Sequence, residues 1–247
     1  MSDTWRKSPR KLVQTTITDS IKKKPRKADT TPITEKEALE NDFEFPTTKD
    51  PIIRELHGGT GTLAYYPRYF TQAQADKYLK YLEENLSWKR YPITMFGKVI
   101  QQPRTIAYIG DKEYTYSGLT LGPTEWDPIV REISYQLEDT LRLPRDYFNF
   151  VLCNRYEHGE EYMGYHSDNE KPLGERPIIA STTFGQARPF FFKHKTDKNK
   201  KVEYNLEHGS TLIMSGLTQK YWKHALPKRP KANFKSRINL TFRKVVS

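Results

Sequence analysis

His166-Ser167-Asp168 sets an imidazole and a carboxylate two residues apart. In an extended segment a period of two puts both on one face, which is a metal-ligand arrangement. His-x-Asp alone is also a common structural tripeptide. A second histidine would complete a two-His-one-carboxylate facial triad, a set that leaves coordination positions open and suits non-haem Fe(II) oxygenases. His158, His194, His208 and His224 are the candidates. Zinc hydrolysis can use the same donors.

A second constellation lies at the end of the chain. In Arg237-Ile238-Asn239-Leu240-Thr241-Phe242-Arg243 the alternation is strict, so Arg237, Asn239, Thr241 and Arg243 share one strand face and Ile238, Leu240 and Phe242 the other. This is either a half-exposed strand with a solvated polar face or a pair of guanidinium groups set to clamp a dicarboxylate bidentately. The second reading gives the arginines a task that zinc hydrolysis would not. Upstream, Phe148-Asn149-Phe150-Val151-Leu152-Cys153-Asn154-Arg155-Tyr156 delivers an amide, Asn154, and a phenol, Tyr156, on one face of another strand.

These strands need a scaffold. From Phe148 onward, strand-like runs at 148–156, 177–184, 189–194, 210–214 and 236–246 alternate with turns, which predicts a β-sandwich or jelly roll. Two helices support it. Thr71 caps the first, whose Ala75, Tyr78, Leu79, Leu82 and Leu86 recur at three-and-four spacing; Asp127-Pro128 opens the second, with Val130, Ile133, Leu137 and Leu141 on one face. Gly58-Gly59 reads as a turn before Leu63-Ala64-Tyr65-Tyr66. The fold class is α+β, mainly β.

Length and charge narrow the function. The 247 residues suit one catalytic domain with an appendage, and no apolar run approaches the ~20 residues a bilayer span needs, so no membrane partner is expected. The N-terminus has no apolar leader, and the lone Cys153 fits a reducing compartment and reads as buried filler. Of the net +11, residues 1–28 carry +7 and residues 208–247 carry +9, which leaves −5 between them. Basicity segregated at the two ends suits a polyanion such as nucleic acid. Residues 1–45 are too poor in large apolar side chains to offset the entropy of ordering, so they read as a disordered basic tail, with a domain over 46–247. Within the tail, Lys22-Lys23-Lys24-Pro25-Arg26-Lys27 matches a short nuclear address. The run from Gln14 to Asp19 looks like the start of a peptide that docks on a sliding clamp, but Ser20-Ile21 stand where that motif ends in two aromatics.

Taken together, Pro103-Arg104, Tyr114-Thr115-Tyr116-Ser117-Gly118-Leu119, Asn154-Arg155-Tyr156, His166-Ser167-Asp168, Ile178-Ile179-Ala180-Ser181, His224-Ala225-Leu226-Pro227 and the Arg237 to Arg243 strand resemble, in order and spacing, the AlkB-like Fe(II)- and 2-oxoglutarate-dependent nucleic-acid dealkylases. The likeness is strongest to their nuclear DNA-repair branch. It implies a double-stranded β-helix in which His166, Asp168 and His224 hold Fe(II). It also implies that Asn154, Tyr156, Arg237, Asn239, Thr241 and Arg243 surround 2-oxoglutarate, Arg237 on its far carboxylate and Arg243 nearer the metal. His208 matches a structural position; His158 and His194 are left as surface or loop residues.

The same resemblance assigns the substrate side. Tyr116 matches the stacking aromatic for a base taken out of the helix, Tyr114 completes the lid, Arg104 lies beside them, and Glu170 faces the exocyclic amine. Phe96, in Thr94-Met95-Phe96-Gly97, resembles the apolar finger that fills the gap left by a flipped base, or else is an ordinary hairpin aromatic. Lys228, Arg229 and Lys231 follow the distal ligand motif, and Lys193, Lys195, Lys198, Lys200 and Lys201 crowd an expected loop. The implied activity is oxidative demethylation of 1-methyladenine or 3-methylcytosine in DNA, preferably double-stranded, by a nuclear monomer that consumes 2-oxoglutarate and O2. Its rivals are the same fold acting on RNA or protein, and a nucleic-acid binding module without catalysis.

Overall fold

The computed structural model describes residues 31–34, 37, 45–46, 49–95, 98–116, 118–231 and 233–246. The basic run Lys22 to Lys27, the clamp-like stretch Gln14 to Asp19, Phe96 and the side chain of Tyr116 lie outside the described residues.

Both expected helices form where their caps place them. In α1 (Gln72–Asn85) the Thr71 hydroxyl accepts from Gln74 N at 3.3 Å while the Gln74 side chain accepts from Thr71 N at 3.1 Å, a reciprocal capping box. In α2 (Pro128–Leu141) the Asp127 carboxylate accepts from the amides of Ile129 and Val130 at 2.9 and 3.0 Å, and Pro128 starts the helix where a missing N–H costs nothing. A single turn, α3 (Thr218–Tyr221), comes late in the chain.

The strands of the first half are β1 (Ile52–Glu55), β2 (Thr62–Tyr66), β3 (Pro92–Met95), β4 (Lys98–Gln101), β5 (Thr105–Gly110), β6 (Tyr114–Tyr116) and β7 (Leu119–Leu121). The second half contributes β8 (Phe150–Tyr156), β9 (Met163–His166), β10 (Ile179–Gly185), β11 (Arg188–His194), β12 (Lys201–Leu206), β13 (Ser210–Ser215), β14 (Trp222–Leu226) and β15 (Arg237–Arg243). Seven of them make an antiparallel sheet in the order β1-β2-β13-β10-β15-β8-β5, and four make a second in the order β12-β11-β14-β9. This is the expected jelly roll. Two short hairpins, β3-β4 and β6-β7, complete the strands.

Period-two alternation sorts each central strand between two cores. Ile238, Leu240 and Phe242 of β15 join Ala75, Tyr78, Leu82, Val130, Ile133 and Leu137 in the core under the helices. Between the sheets, Leu63, Tyr65, Ile179, Phe192, Leu212, Met214 and Trp222 form the second core. Every residue of β15 is buried, so its polar face is not a solvated one. Cys153 is a fully buried member of the helix-side core.

The five strand runs expected after residue 148 are β8, β10, β11, β13 and β15, each begun or ended within a few residues of its expected bound. β9, β12 and β14 were not anticipated. β9 is four residues with a glycine and β14 only five; β12 does alternate, with Val202, Tyr204 and Leu206 on one face and Lys201, Glu203 and Asn205 on the other, a strand signal overshadowed by the lysine-rich stretch before it. Accordingly Lys193 and Lys201, expected in a loop, pair across β11 and β12.

Gly61 is where the backbone packs most tightly against the turn α3. Its φ is +137°, and an added Cβ would lie 2.2 Å from Thr218 Oγ1 and 2.6 Å from Thr218 N. Gly61→Ala is therefore expected to destabilise the protein by about 2 kcal/mol or more, as other overpacked sites are. Thermal unfolding checks this; an unchanged Tm contradicts it.

Candidate active site

The polar face of β15 opens into a cavity between the sheets, of about 170 Å³. Its walls include Arg104, Tyr114, Asn154, Tyr156, His166, Asp168, Glu170, His224, Arg237, Asn239, Thr241 and Arg243. Residues far apart in sequence thus meet because β8, β15 and β10 are neighbours in one sheet while β9 and β14 face them from the other.

The two histidines face each other across strands. His166 ends β9 and sits opposite His224 of β14, with ring centroids 4.2 Å apart. Asp168 follows two residues later. Its Oδ1 lies 3.5 Å from His166 Nε2 and 3.9 Å from His224 Nε2, and the three residues' donor atoms all fall within 4.8 Å of one another. Its Oδ2 accepts from Arg243, at 2.7 Å from Nη2 and 3.2 Å from Nε. Arg243 therefore occupies one carboxylate oxygen and leaves the other turned toward the imidazoles.

Electrostatics keeps the donors in ligand form. Burial alone would raise the Asp168 carboxyl, but Arg243 and the two imidazoles outweigh it and hold the group well below the ordinary carboxylate range. Burial, with His166 beside it, pushes His224 down to about 3, so its imidazole is neutral and a nitrogen lone pair is available at physiological pH. His166 is oriented by its Nδ1, 2.9 Å from the Gly164 carbonyl.

Arg237, at the other end of β15, is in a different state. It is 1% exposed, its Nη2 donates to Thr183 Oγ1 at 2.9 Å, and its Nε is buried without a partner. No carboxylate among the described residues forms an ion pair with it. Burial lowers it only to about 10, so it is charged at neutral pH. A buried guanidinium without a counter-ion is costly, and the cavity beside it is where an acid would sit. Asn239 and Thr241 carry the polar face between the two arginines: Asn239 Nδ2 donates to Ser181 Oγ and to the Thr182 carbonyl, both at 2.9 Å, and Thr241 Oγ1 donates to Asn239 Oδ1 at 3.2 Å. Ser181 and Thr183 were not singled out as site residues. They stand opposite Thr241 and Asn239 in the β10-β15 pairing, a register that no local sequence signal reveals.

On the remaining wall, Arg104 Nε donates to Asn154 Oδ1 at 2.5 Å and its Nη2 is buried without a partner. Tyr114, whose phenol burial keeps neutral, lines the cavity together with Glu170, one oxygen of which is buried and unpaired. Lys228 and Lys231 are exposed on the segment after β14, outside the cavity lining, and Arg229 N is tied to the Gly159 carbonyl at 2.7 Å. His208 is structural: Nδ1 accepts from Gly185 N at 2.8 Å and Nε2 lies 3.1 Å from Asp76.

Against known protein families, residues 62–243 match the 2OG-Fe(II) oxygenase superfamily. The chain belongs to that superfamily. Fe(II) is the metal of this oxygenase, and 2-oxoglutarate and O2 are its co-substrates. The residues present fit both groups: two imidazoles and one carboxylate oxygen converge, and a buried arginine lacks an acid. Among curated proteins, the oxygenase is 36% identical over 210 residues to the mouse DNA oxidative demethylase ALKBH2, covering 80% of this chain and 86% of that protein. It is 35% identical over 196 residues to the human alpha-ketoglutarate-dependent dioxygenase alkB homolog 3, covering 76% and 67%. The Arabidopsis thaliana ALKBH2 is 34% identical over 232 residues, covering 82% and 73%. The solved structure of OsALKBH1 superposes with a TM-score of 0.55 at 16% identity, over 74% of this chain and 96% of that one, a likeness that bears on the fold alone.

Proposed function

We propose that this oxygenase is an oxidative demethylase of DNA, removing the methyl group from 1-methyladenine and 3-methylcytosine. The observation that carries the reading is one cavity that brings a convergent His-Asp-His set and an acid-seeking Arg237 together with Tyr114 and the half-unpaired Glu170. The names of the mouse and Arabidopsis relatives, DNA oxidative demethylase, support it.

In this reading His166, Asp168 and His224 hold Fe(II), which with 2-oxoglutarate and O2 supplies the hydroxylation of an N-methyl group, with succinate and CO2 as co-products. Arg237 binds the far carboxylate of 2-oxoglutarate, with Tyr156, Asn154, Asn239 and Thr241 lining its length and Arg243 fixing Asp168 at the metal end. Glu170 accepts from the exocyclic amine of the damaged base, Tyr114 and Arg104 line the pocket beside it, and Tyr116 is the aromatic that stacks on the base. The hydroxymethylated base then releases formaldehyde. Residues 46–247 form the oxygenase domain and residues 1–45 a basic tail whose Lys22 to Lys27 run directs the protein to the nucleus.

Turnover assays comparing methylated DNA, RNA and peptides test the substrate class. Succinate and formaldehyde formed with DNA in excess of the other two support the reading; a preference for peptide overturns it.

Within DNA, we favour duplex substrate, on which the hairpin β3-β4 and the segment after β14 have separate tasks. If Phe96 fills the hole left by an extruded base, Phe96→Ala slows repair in duplex and leaves single-strand repair nearly unchanged, because only the duplex is unstacked. Equal losses in both would make Phe96 a structural hairpin residue. Neutralising Lys228, Arg229 and Lys231 is expected to weaken binding to methylated and unmethylated duplex alike, flattening the log-log salt dependence by roughly 0.9 for each phosphate that is no longer neutralised. An unchanged slope in salt-titrated binding would show that these residues do not touch the DNA backbone.

A further inference from the structure

Asp168 lies beyond the last residue of β9, so no strand ladder holds its backbone. Its N–H instead donates to the side chain of Gln219, Oε1 at 3.0 Å. Gln219 belongs to the turn α3, 51 positions away in sequence, and is 2% exposed. Its other amide atom, Nε2, points at Met214 Sδ at 3.4 Å. The orientation of the amide follows from the Asp168 N–H, since the reverse would set donor against donor.

The turn is itself fixed from several sides. Lys195 N donates to the Tyr221 carbonyl at 2.8 Å and Lys195 Nζ to the Gln219 carbonyl at 2.9 Å. Thr218 Oγ1 donates to the Ser215 carbonyl at 2.6 Å. Ser167, between the two ligands, donates from Oγ to the Trp222 carbonyl at 2.8 Å. Both residues after His166 are thus tied to residues 219–222, while Arg243 takes Asp168 Oδ2.

We propose that Gln219 is a positioning residue for the iron ligand Asp168: by accepting from its backbone N–H, it sets where Oδ1 meets the metal. This rests on the oxygenase site described above. A carboxylate held only through its side chain could swing about its own backbone; anchored at N–H and at Oδ2, it presents one oxygen in one place. The role belongs to the acceptor oxygen and not to the volume of the side chain. That separates it from packing.

The test is titration of the full chain with Co(II), followed by the d–d absorption bands, which report ligand geometry independently of turnover. Gln219→Met keeps the length and loses the acceptor. It is expected to weaken Co(II) binding by about tenfold or more, as loss of an outer ligand partner does, and to change the band envelope. Gln219→Glu restores the acceptor and is expected to restore the wild-type band shape, whatever its added charge does to affinity. Should Gln219→Met fold poorly, Gln219→Asn, an amide one methylene too short, is expected to give the same loss. Wild-type bands and affinity in the methionine variant, or a glutamate variant no closer to wild type than methionine, would overturn the proposal. His166→Ala separates the two failures: if it still binds Co(II) with wild-type bands, the metal site itself is wrong and the role of Gln219 falls with it, whereas loss of those bands in His166→Ala with wild-type bands in Gln219→Met overturns the role of Gln219 alone.

Discussion

Replacing His166 by alanine is expected to abolish succinate formation from 2-oxoglutarate while the protein keeps its fold. The half-buried His166 ring packs on His224, with its Nδ1 by the Gly164 carbonyl and its Nε2 by Asp168, so its loss opens no core cavity. A three-donor set has no spare protein ligand, and the same complete loss is expected for His224→Ala. Asp168→Ala should be equally inactive but less stable. Its removal strands the Arg243 guanidinium, 5% exposed, and breaking a buried pair by deleting one partner costs about 3–5 kcal/mol. Succinate assays alongside thermal unfolding separate the two effects; undiminished succinate in any of the three variants contradicts the metal assignment.

Arg237→Met is expected to raise the 2-oxoglutarate concentration needed for half-maximal turnover by roughly 30-fold or more, leaving the DNA concentration needed nearly unchanged. Loss of a buried charged partner costs on the order of 2 kcal/mol or more of binding, and 1.4 kcal/mol is about tenfold. The stability of the unliganded protein should move the other way. In the absence of an acid, Arg237 is a buried charge whose side-chain contacts among the described residues, a hydrogen bond to Thr183 and the ring of Tyr156, are neutral, and an apolar side chain of similar length relieves its desolvation. A higher Tm without 2-oxoglutarate, together with a smaller rise in Tm on adding it, is the expected pattern. Equal effects on co-substrate and DNA would return Arg237 to a structural role.

How much of this site was legible depended on how local each signal is. The alternation of β15 and the His166–Asp168 spacing are properties of single strands, so the polar face and two of the three proposed ligands could be read directly, and the caps at Thr71 and Asp127 placed both helices. His224 could not be chosen from the histidines by spacing alone; its position opposite His166 is a fact of strand pairing. Pairing also brings Ser181 and Thr183 beside the polar face of β15, and the packing of one sheet on the other brings Arg243 to Asp168, 75 residues away. Gln219 carried no signal, since a glutamine in a one-turn helix looks like any surface residue until the turn is seen packed behind Asp168. The β9, β12 and β14 strands escaped for a related reason. Each is only four to six residues long, too short to stand out until the sheet it joins is seen.

In the proposed reaction the cavity couples oxidation of 2-oxoglutarate to removal of a methyl group from a DNA base. The most direct measurement incubates the full chain with Fe(II), 2-oxoglutarate, O2 and a duplex oligonucleotide carrying one 1-methyladenine, and counts succinate, formaldehyde and restored adenine. All three are expected in equal amounts above the DNA-free background, with no restored base when either Fe(II) or 2-oxoglutarate is withheld. Succinate formed at the same rate with and without the lesion, with 1-methyladenine left intact, would contradict it.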